Sequence, residues 1–115
     1  MKITNIEAFQ SVQTLSALKE RGRLGYAIAR NMRKLEEELT EYTERRNELI
    51  KAYGSPTGDG EYQIPAANMG AFFKEMDEYN EIEFEFQPHT VTEDVFCSGS
   101  LTSDQMYILD WMVGK

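Results

Sequence analysis

Carboxylates are the most abundant side chains in this sequence that can do chemistry, and seven of them fall into two regular sets. The chain holds 20 Asp and Glu against 12 Lys and Arg, so its formal net charge at pH 7 is −8. One set recurs at helical spacing and comprises Glu37, Glu41, Glu44 and Glu48. The other alternates with apolar residues and comprises Glu81, Glu83 and Glu85. Outward-facing carboxylates lack the burial that acid–base catalysis needs, so we interpret both sets as an acidic face that binds a partner protein.

The first third of the chain is basic instead. Residues 1–35 contain seven Lys and Arg and two Glu, a net charge of +5, whereas residues 36–115 carry −13. Five cations make a candidate anion-binding cluster: Lys19, Arg21, Arg23, Arg30 and Arg33. The cluster surrounds a predicted helix start, where anions are favoured, but the sequence lacks the Lys-Ser/Thr end of a phosphate-binding loop. It indicates a small nucleic-acid-binding protein as an alternative function, which the overall negative charge opposes.

Nucleophilic catalysis would depend on Cys97 and His89, the single cysteine and the single histidine. No family signature surrounds them and no third group is placed to orient the histidine. A zinc site would need two more ligands of these types, and residues 57–61 lack the ligand spacing of a calcium loop. We therefore expect a protein that is not an enzyme and that holds no metal or other cofactor.

Two helices are predicted over residues 4–54, forming a long antiparallel hairpin. The first opens on a capping box, Thr4 with Glu7, and is expected to run to about Lys19. The second spans Leu24 to Tyr53 without a proline. Its apolar positions follow a heptad seam: Ile28, Met32, Leu35, Leu39, Tyr42, Arg46, Leu49 and Tyr53. At about 1.5 Å per residue this predicts an unbroken rod of roughly 45 Å.

This rod is longer than the first helix, so its second half needs another partner. A third or fourth helix of the same chain can cover it, or a second copy of the chain can. We expect an oligomer seam formed by Leu39, Tyr42, Arg46, Leu49 and Tyr53. The mismatch in length therefore predicts a homodimer.

Smaller elements are predicted after the hairpin. Residues 55–65 are rich in glycine and proline and indicate a mobile loop. Residues 66–80 return to helical spacing. Residues 81–87 alternate strictly and predict a half-buried strand. Its pairing partner is expected in residues 61–64, in residues 90–92, or in the same strand of a second subunit.

A second capping box, Thr102 with Gln105, opens a C-terminal helix that is expected to reach about Val113. The whole chain, residues 1–115, is predicted to form a single domain. Its fold class is α+β and mostly helical: the hairpin, the loop, and a helix-strand-helix unit over residues 66–115 with a short two- or three-stranded sheet.

Several short motifs of this sequence resemble those of a known group of proteins. The opening Met1–Asn5, the helix end Arg46–Gly54 and the closing Leu101–Met106 resemble small proteins of unknown function from phages and prophages of Gram-positive bacteria. Residues 72–76 and the Glu-Ile-Glu-Phe alternation are similar to the second half of those proteins. The resemblance covers most of the chain in outline. It implies a phage origin and carries no catalytic residues with it.

These observations together predict a non-enzymatic protein–protein interaction protein. Its partner is expected to be a host or phage protein, and an inhibitor of a host defence or nucleic-acid enzyme is the leading version. An accessory factor in virion assembly is the competing version. The lack of a signal core or of any apolar run of roughly 20 residues predicts a cytoplasmic protein of the host bacterial cell, without a membrane partner.

Overall fold

Six α-helices and two small antiparallel sheets form within residues 1–114, the part of the chain that the computed structural model describes. The helices are α1 (Asn5–Ser16), α2 (Gly22–Glu38), α3 (Thr40–Tyr53), α4 (Ala66–Asn80), α5 (Glu93–Cys97) and α6 (Ser103–Ile108). The strands are β1 (Lys2–Thr4), β2 (Ser55–Pro56), β3 (Tyr62–Gln63) and β4 (Glu83–Glu85). The chain is 63% helical, which confirms the mostly helical α+β class.

The predicted hairpin corresponds to α1 and α2, which pack together across a short turn. The capping box of α1 is present: the Thr4 hydroxyl accepts from the Glu7 N–H, and the Glu7 carboxylate accepts from the Thr4 N–H. The helix ends at Ser16, earlier than predicted. Gly25 lies so close to the preceding turn that a Cβ there would stand 2.4 Å from the Glu20 carbonyl oxygen. This glycine is therefore required by packing in the turn.

The predicted single rod is interrupted at Leu39, which separates α2 from α3 with ψ at 5°. The Thr40 hydroxyl donates to the Glu37 carbonyl at 3.0 Å and the Glu36 carbonyl at 3.3 Å. Such bonds from a threonine side chain to the preceding turn compete with the backbone ladder and bend helices. The prediction of an unbroken helix was wrong because it considered only proline and glycine as helix breakers.

The predicted oligomer seam is covered within the chain. The seam positions of α2 pack against α1, and α3 packs against α4. Leu39 and Tyr42 are buried, at 3% and 4% exposure. The Arg46 guanidinium lies 5.0 Å from the centre of the Phe9 ring. Leu49 and Tyr53 are half-buried against the core. The predicted seam is thus covered largely by the chain itself, and its binding to a second copy stays a prediction.

Strand β4 pairs with β1, in the register Ile3 opposite Phe84. None of the three predicted partners was right, because residues 2–4 form a strand too short to show a period of two. The apolar face of the pair points inward, with Ile3 and Phe86 each 3% exposed. Ile82 belongs to the predicted strand of residues 81–87 but lies before β4 and is 52% exposed. The acidic residues of β4 occupy the outer face.

The remaining elements are the β2–β3 pair and helices α4 to α6. Strands β2 and β3 form a hairpin within the predicted loop, with Pro56 opposite Tyr62. Helix α4 has its predicted bounds, and α6 opens on the predicted capping box of Thr102 and Gln105. Helix α5 was not predicted. Buried apolar side chains of α1 to α5 and of the segment after α6 form one cluster, with Leu35 and Leu109 at its fully buried centre.

Candidate functional site

A groove of about 350 Å³ separates the α2–α3 junction from β4. Its walls include Glu38 and Glu41 on one side and Ile82 and Phe84 on the other. The remaining lining residues are Asn5, Tyr42, Arg45 and Tyr79. Exposed Ile82 and half-buried Phe84 give it an apolar floor with carboxylates at the rim. We call this the acidic groove.

Tyr42 fixes the base of the acidic groove. Its hydroxyl donates to Oδ1 of Asn80 at 2.6 Å, which ties α3 to the end of α4. Burial raises the pKa of Tyr42, an effect that the positive charge of Arg46 partly opposes. Asn5 adds a second tie, because its amide donates to the Tyr79 carbonyl at 2.9 Å. The groove is therefore built from rigid elements that are joined at its base.

Arg45 pairs with two carboxylates of α3, those of Glu41 and Glu48, and partly neutralises their charge. Its guanidinium donates to both Glu48 oxygens at 2.9 Å and to Glu41 at 3.4 Å. The triad of one cation and two anions keeps a net charge of −1. All three side chains are solvent-exposed to a large extent, so these ion pairs contribute little to stability.

The outer edge of β4 is open. Met1 and Phe86 exchange backbone hydrogen bonds at 2.9 and 2.8 Å, and the Asn5 N–H donates to the Ile82 carbonyl at 2.9 Å. In an antiparallel pair of strands, opposite residues alternate between hydrogen-bonded and non-hydrogen-bonded pairs. Glu83 and Glu85 occupy non-hydrogen-bonded positions, so their backbone N–H and C=O groups point away from β1. Within residues 1–114 no strand or side chain pairs with them on that edge.

The structure does not unite the predicted acidic face. Glu41 lies in the acidic groove. Glu83 and Glu85 lie exposed on β4, and Glu81 lies exposed between α4 and β4. Glu44 instead lines a separate groove of about 360 Å³ with Phe9 and Val12. Glu37 is exposed on α2 and Glu48 is paired with Arg45. Glu38 also lines the groove and was not among the predicted residues.

The basic cluster is spread over the turn and the outer face of α2. Lys19 and Arg21 are exposed in the turn, and Arg23, Arg30 and Arg33 are exposed on α2. In residues 1–114 the ion pairs are made by the amino terminus and by Arg45, so none involves the cluster. Arg23 also lines a groove of about 340 Å³ with Tyr26 and His89.

His89 and Cys97 have separate surroundings. The His89 ring packs edge-on against Tyr26, with ring centres 5.3 Å apart. Cys97 is a free, exposed thiol at the end of α5. Cys97 does not contribute to the groove that contains His89.

No family model, curated protein or solved structure matches this chain. In the described part of the chain, no helix combines the length and the apolar character needed to cross a membrane.

Proposed function

We propose that this protein is a protein–protein interaction protein that binds an extended, basic segment of its partner along β4 and the acidic groove. The observation that carries the proposal is the open edge of β4 beside the carboxylate-rimmed groove. A strand edge with free N–H and C=O groups accepts an added strand from another chain. Glu83 and Glu85 provide those groups.

Charge complementarity indicates a basic occupant. Glu83 and Glu85 are exposed on β4, Glu81 is exposed just before it, and Glu38 and Glu41 line the acidic groove beside it. Successive side chains of a strand point to opposite faces, so an added strand with Lys or Arg at alternate positions would place these cations beside Glu83 and Glu85 on the outer face. Its intervening side chains would contact Ile82 and Phe84. Complementary charge of this kind speeds association and selects the partner.

The nature of the partner follows from the same chemistry. A host defence or nucleic-acid enzyme exposes Lys and Arg that bind phosphates, and an acidic strand competes for them. We therefore propose an inhibitor of such an enzyme, and on the resemblance of its short motifs we propose a phage origin. An accessory role in virion assembly is the competing version, and identification of the captured partner separates the two.

The binding mode can be tested with a synthetic peptide of about eight residues that alternates Lys and Val. We expect measurable binding at low salt that weakens as salt rises. Glu41→Lys and Glu83→Lys are expected to weaken it about tenfold or more. The matched control Glu61→Lys, in the exposed turn of the β2–β3 hairpin, should have little effect.

Backbone pairing can be separated from charge attraction by N-methylation of the peptide. An added strand uses the N–H groups of alternate residues only. We expect methylation of one alternate set to abolish binding and methylation of the other set to leave it nearly unchanged. Equal effects of both sets, or no binding by the unmodified peptide, would overturn the proposal.

A further inference from the structure

A second groove, on the face of α2 that the proposed function does not use, has the composition of a nucleotide site. It is lined by Arg23 and Tyr26 of α2, by Val95 of α5, and by the segment that leads into α5: His89, Thr90, Val91 and Thr92. Its volume of about 340 Å³ lies at the lower end of the range for small-ligand sites. We call it the His89 groove.

The wall of the His89 groove is held rigidly. Asn31 is fully buried; its amide donates to the His89 carbonyl at 2.9 Å, and its Oδ1 accepts from the His89 N–H at 2.7 Å. Val91 is fixed next along the chain, since its N–H donates to the Met112 carbonyl and its carbonyl accepts from Gly114, both at 2.8 Å. Because this backbone is already fixed, ligand binding costs little conformational entropy.

The side chains of this groove suit a planar base attached to a phosphate. The Tyr26 ring is 59% exposed, and His89 supports its edge. An exposed ring of this kind can stack a nucleobase. Val91 and Val95 supply an apolar wall.

Cations lie beside the ring and are free to bind phosphate. Arg23 precedes Tyr26 by three residues, and Arg30 and Arg33 follow it by four and seven, which places all four side chains on one face of α2. All three guanidinium groups are exposed, and none makes an ion pair within residues 1–114. Two helical turns separate Arg23 from Arg30, about 10 Å, so the face can continue beyond a single nucleotide.

We propose that the His89 groove binds a nucleoside phosphate, with the base stacked on Tyr26 and the phosphate on Arg23. The ligand is a free nucleotide or one unit of a single-stranded nucleic acid, which share this chemistry. Arg30 and Arg33 contact the next phosphates when a strand binds. Binding of nucleic acid at this face agrees with the alternative function indicated by the basic cluster, which the net charge of −8 opposes.

The test measures binding of three probes to the whole chain at low salt: AMP, a labelled single strand of about ten nucleotides, and inorganic phosphate. We expect binding of the strand, with or without binding of AMP, and much weaker binding of phosphate alone. Binding of AMP as tight as that of the strand identifies a free nucleotide as the ligand. Preference for the strand identifies nucleic acid.

Variants decide whether the His89 groove is the site. Tyr26→Ala should weaken binding about tenfold or more, because the stacking contact with the base is lost. Tyr26→Phe keeps the ring and should bind about as well as the wild-type chain. Arg23→Glu should weaken binding similarly, whereas Lys51→Glu makes the same charge change on exposed α3 and should have a small effect. The proposal is overturned by no binding of strand or AMP, by equal binding of duplex and single strand, or by equal effects of Arg23→Glu and Lys51→Glu.

Discussion

The side chain of Asn31 binds both backbone polar groups of His89, a residue 58 positions later in the chain. Asn31 is fully buried in α2, and the two bonds measure 2.9 and 2.7 Å. Because an amide offers one donor and one acceptor side by side, it matches a backbone N–H and C=O together. This contact fixes the segment between β4 and α5 against the helical hairpin.

Replacement of Asn31 by leucine is expected to destabilise the fold by about 2–4 kcal/mol, because the His89 N–H and C=O would be left without partners in a buried site. Urea unfolding followed by circular dichroism measures this change. Asn31→Asp keeps an acceptor for the N–H but repels the carbonyl oxygen, so it should also destabilise. A change below about 0.5 kcal/mol in both variants would contradict the assignment.

Tyr42→Phe should lower the free energy of unfolding by about 0.5–1.5 kcal/mol at neutral pH, since the 2.6 Å hydrogen bond to Asn80 is lost. The pH dependence has a definite sign. Burial raises the pKa of Tyr42 above its ordinary value of 10.0 in the folded state. The unfolded chain then loses this proton first, so stability is retained below about pH 10 and falls as pH rises through the folded pKa.

Unfolding measurements between about pH 8 and pH 11 test this sign. The wild-type chain should lose stability above about pH 10 more steeply than Tyr42→Phe, which has no hydroxyl to ionise there. Parallel curves for the two proteins would show that Tyr42 has no raised pKa.

Two glycines in helices are expected to respond to alanine in opposite directions. At Gly25 a Cβ would lie 2.4 Å from the Glu20 carbonyl oxygen, whereas at Gly70 it would meet nothing within 4 Å. Gly25→Ala should destabilise the fold by about 1–3 kcal/mol through displacement of the turn. Gly70→Ala should stabilise it by about 0.5–1 kcal/mol, because alanine favours helix. Thermal unfolding of both variants measures the contrast, and a stabilising Gly25→Ala would be inconsistent with the packing described.

The chain is expected to be a monomer in solution. A homodimer was predicted from an uncovered helix and an unpaired strand, but α4 covers α3 and β1 pairs with β4. Light scattering at high micromolar concentration should give the mass of one chain, 13.3 kDa. Twice this mass would restore the dimer and would place it on a surface other than the predicted seam.

The sequence predicted those elements that carry a local signal. The capping boxes at Thr4 and Thr102 and the bounds of α4 are visible in residues a few positions apart. The break at Leu39 was missed because the Thr40 hydroxyl can either bond to the preceding turn or face water, and only the folded chain determines which. The β1–β4 pair was missed because three residues are too few to show a strand pattern.

The sequence predicted some charged residues of the candidate surfaces but not the residues that lie beside them. Charge alone indicated Arg23 and Glu41, but their neighbours come from distant parts of the chain. His89 reaches Tyr26 only because Asn31 holds it there. Phe84 faces Glu41 only because β4 pairs with the N-terminus. Contacts between residues far apart in the chain produce no periodic pattern or fixed spacing, so a single sequence does not reveal them.

The most direct test of strand addition to β4 is amide hydrogen exchange by NMR with and without the alternating Lys-Val peptide. The backbone N–H groups of Glu83 and Glu85 face the open edge, whereas that of Phe84 is directed to β1. We predict that the peptide slows exchange at Glu83 and Glu85 and leaves Phe84 nearly unchanged, because exchange requires an unbonded amide. Peptide binding without protection of Glu83 and Glu85 would contradict the account.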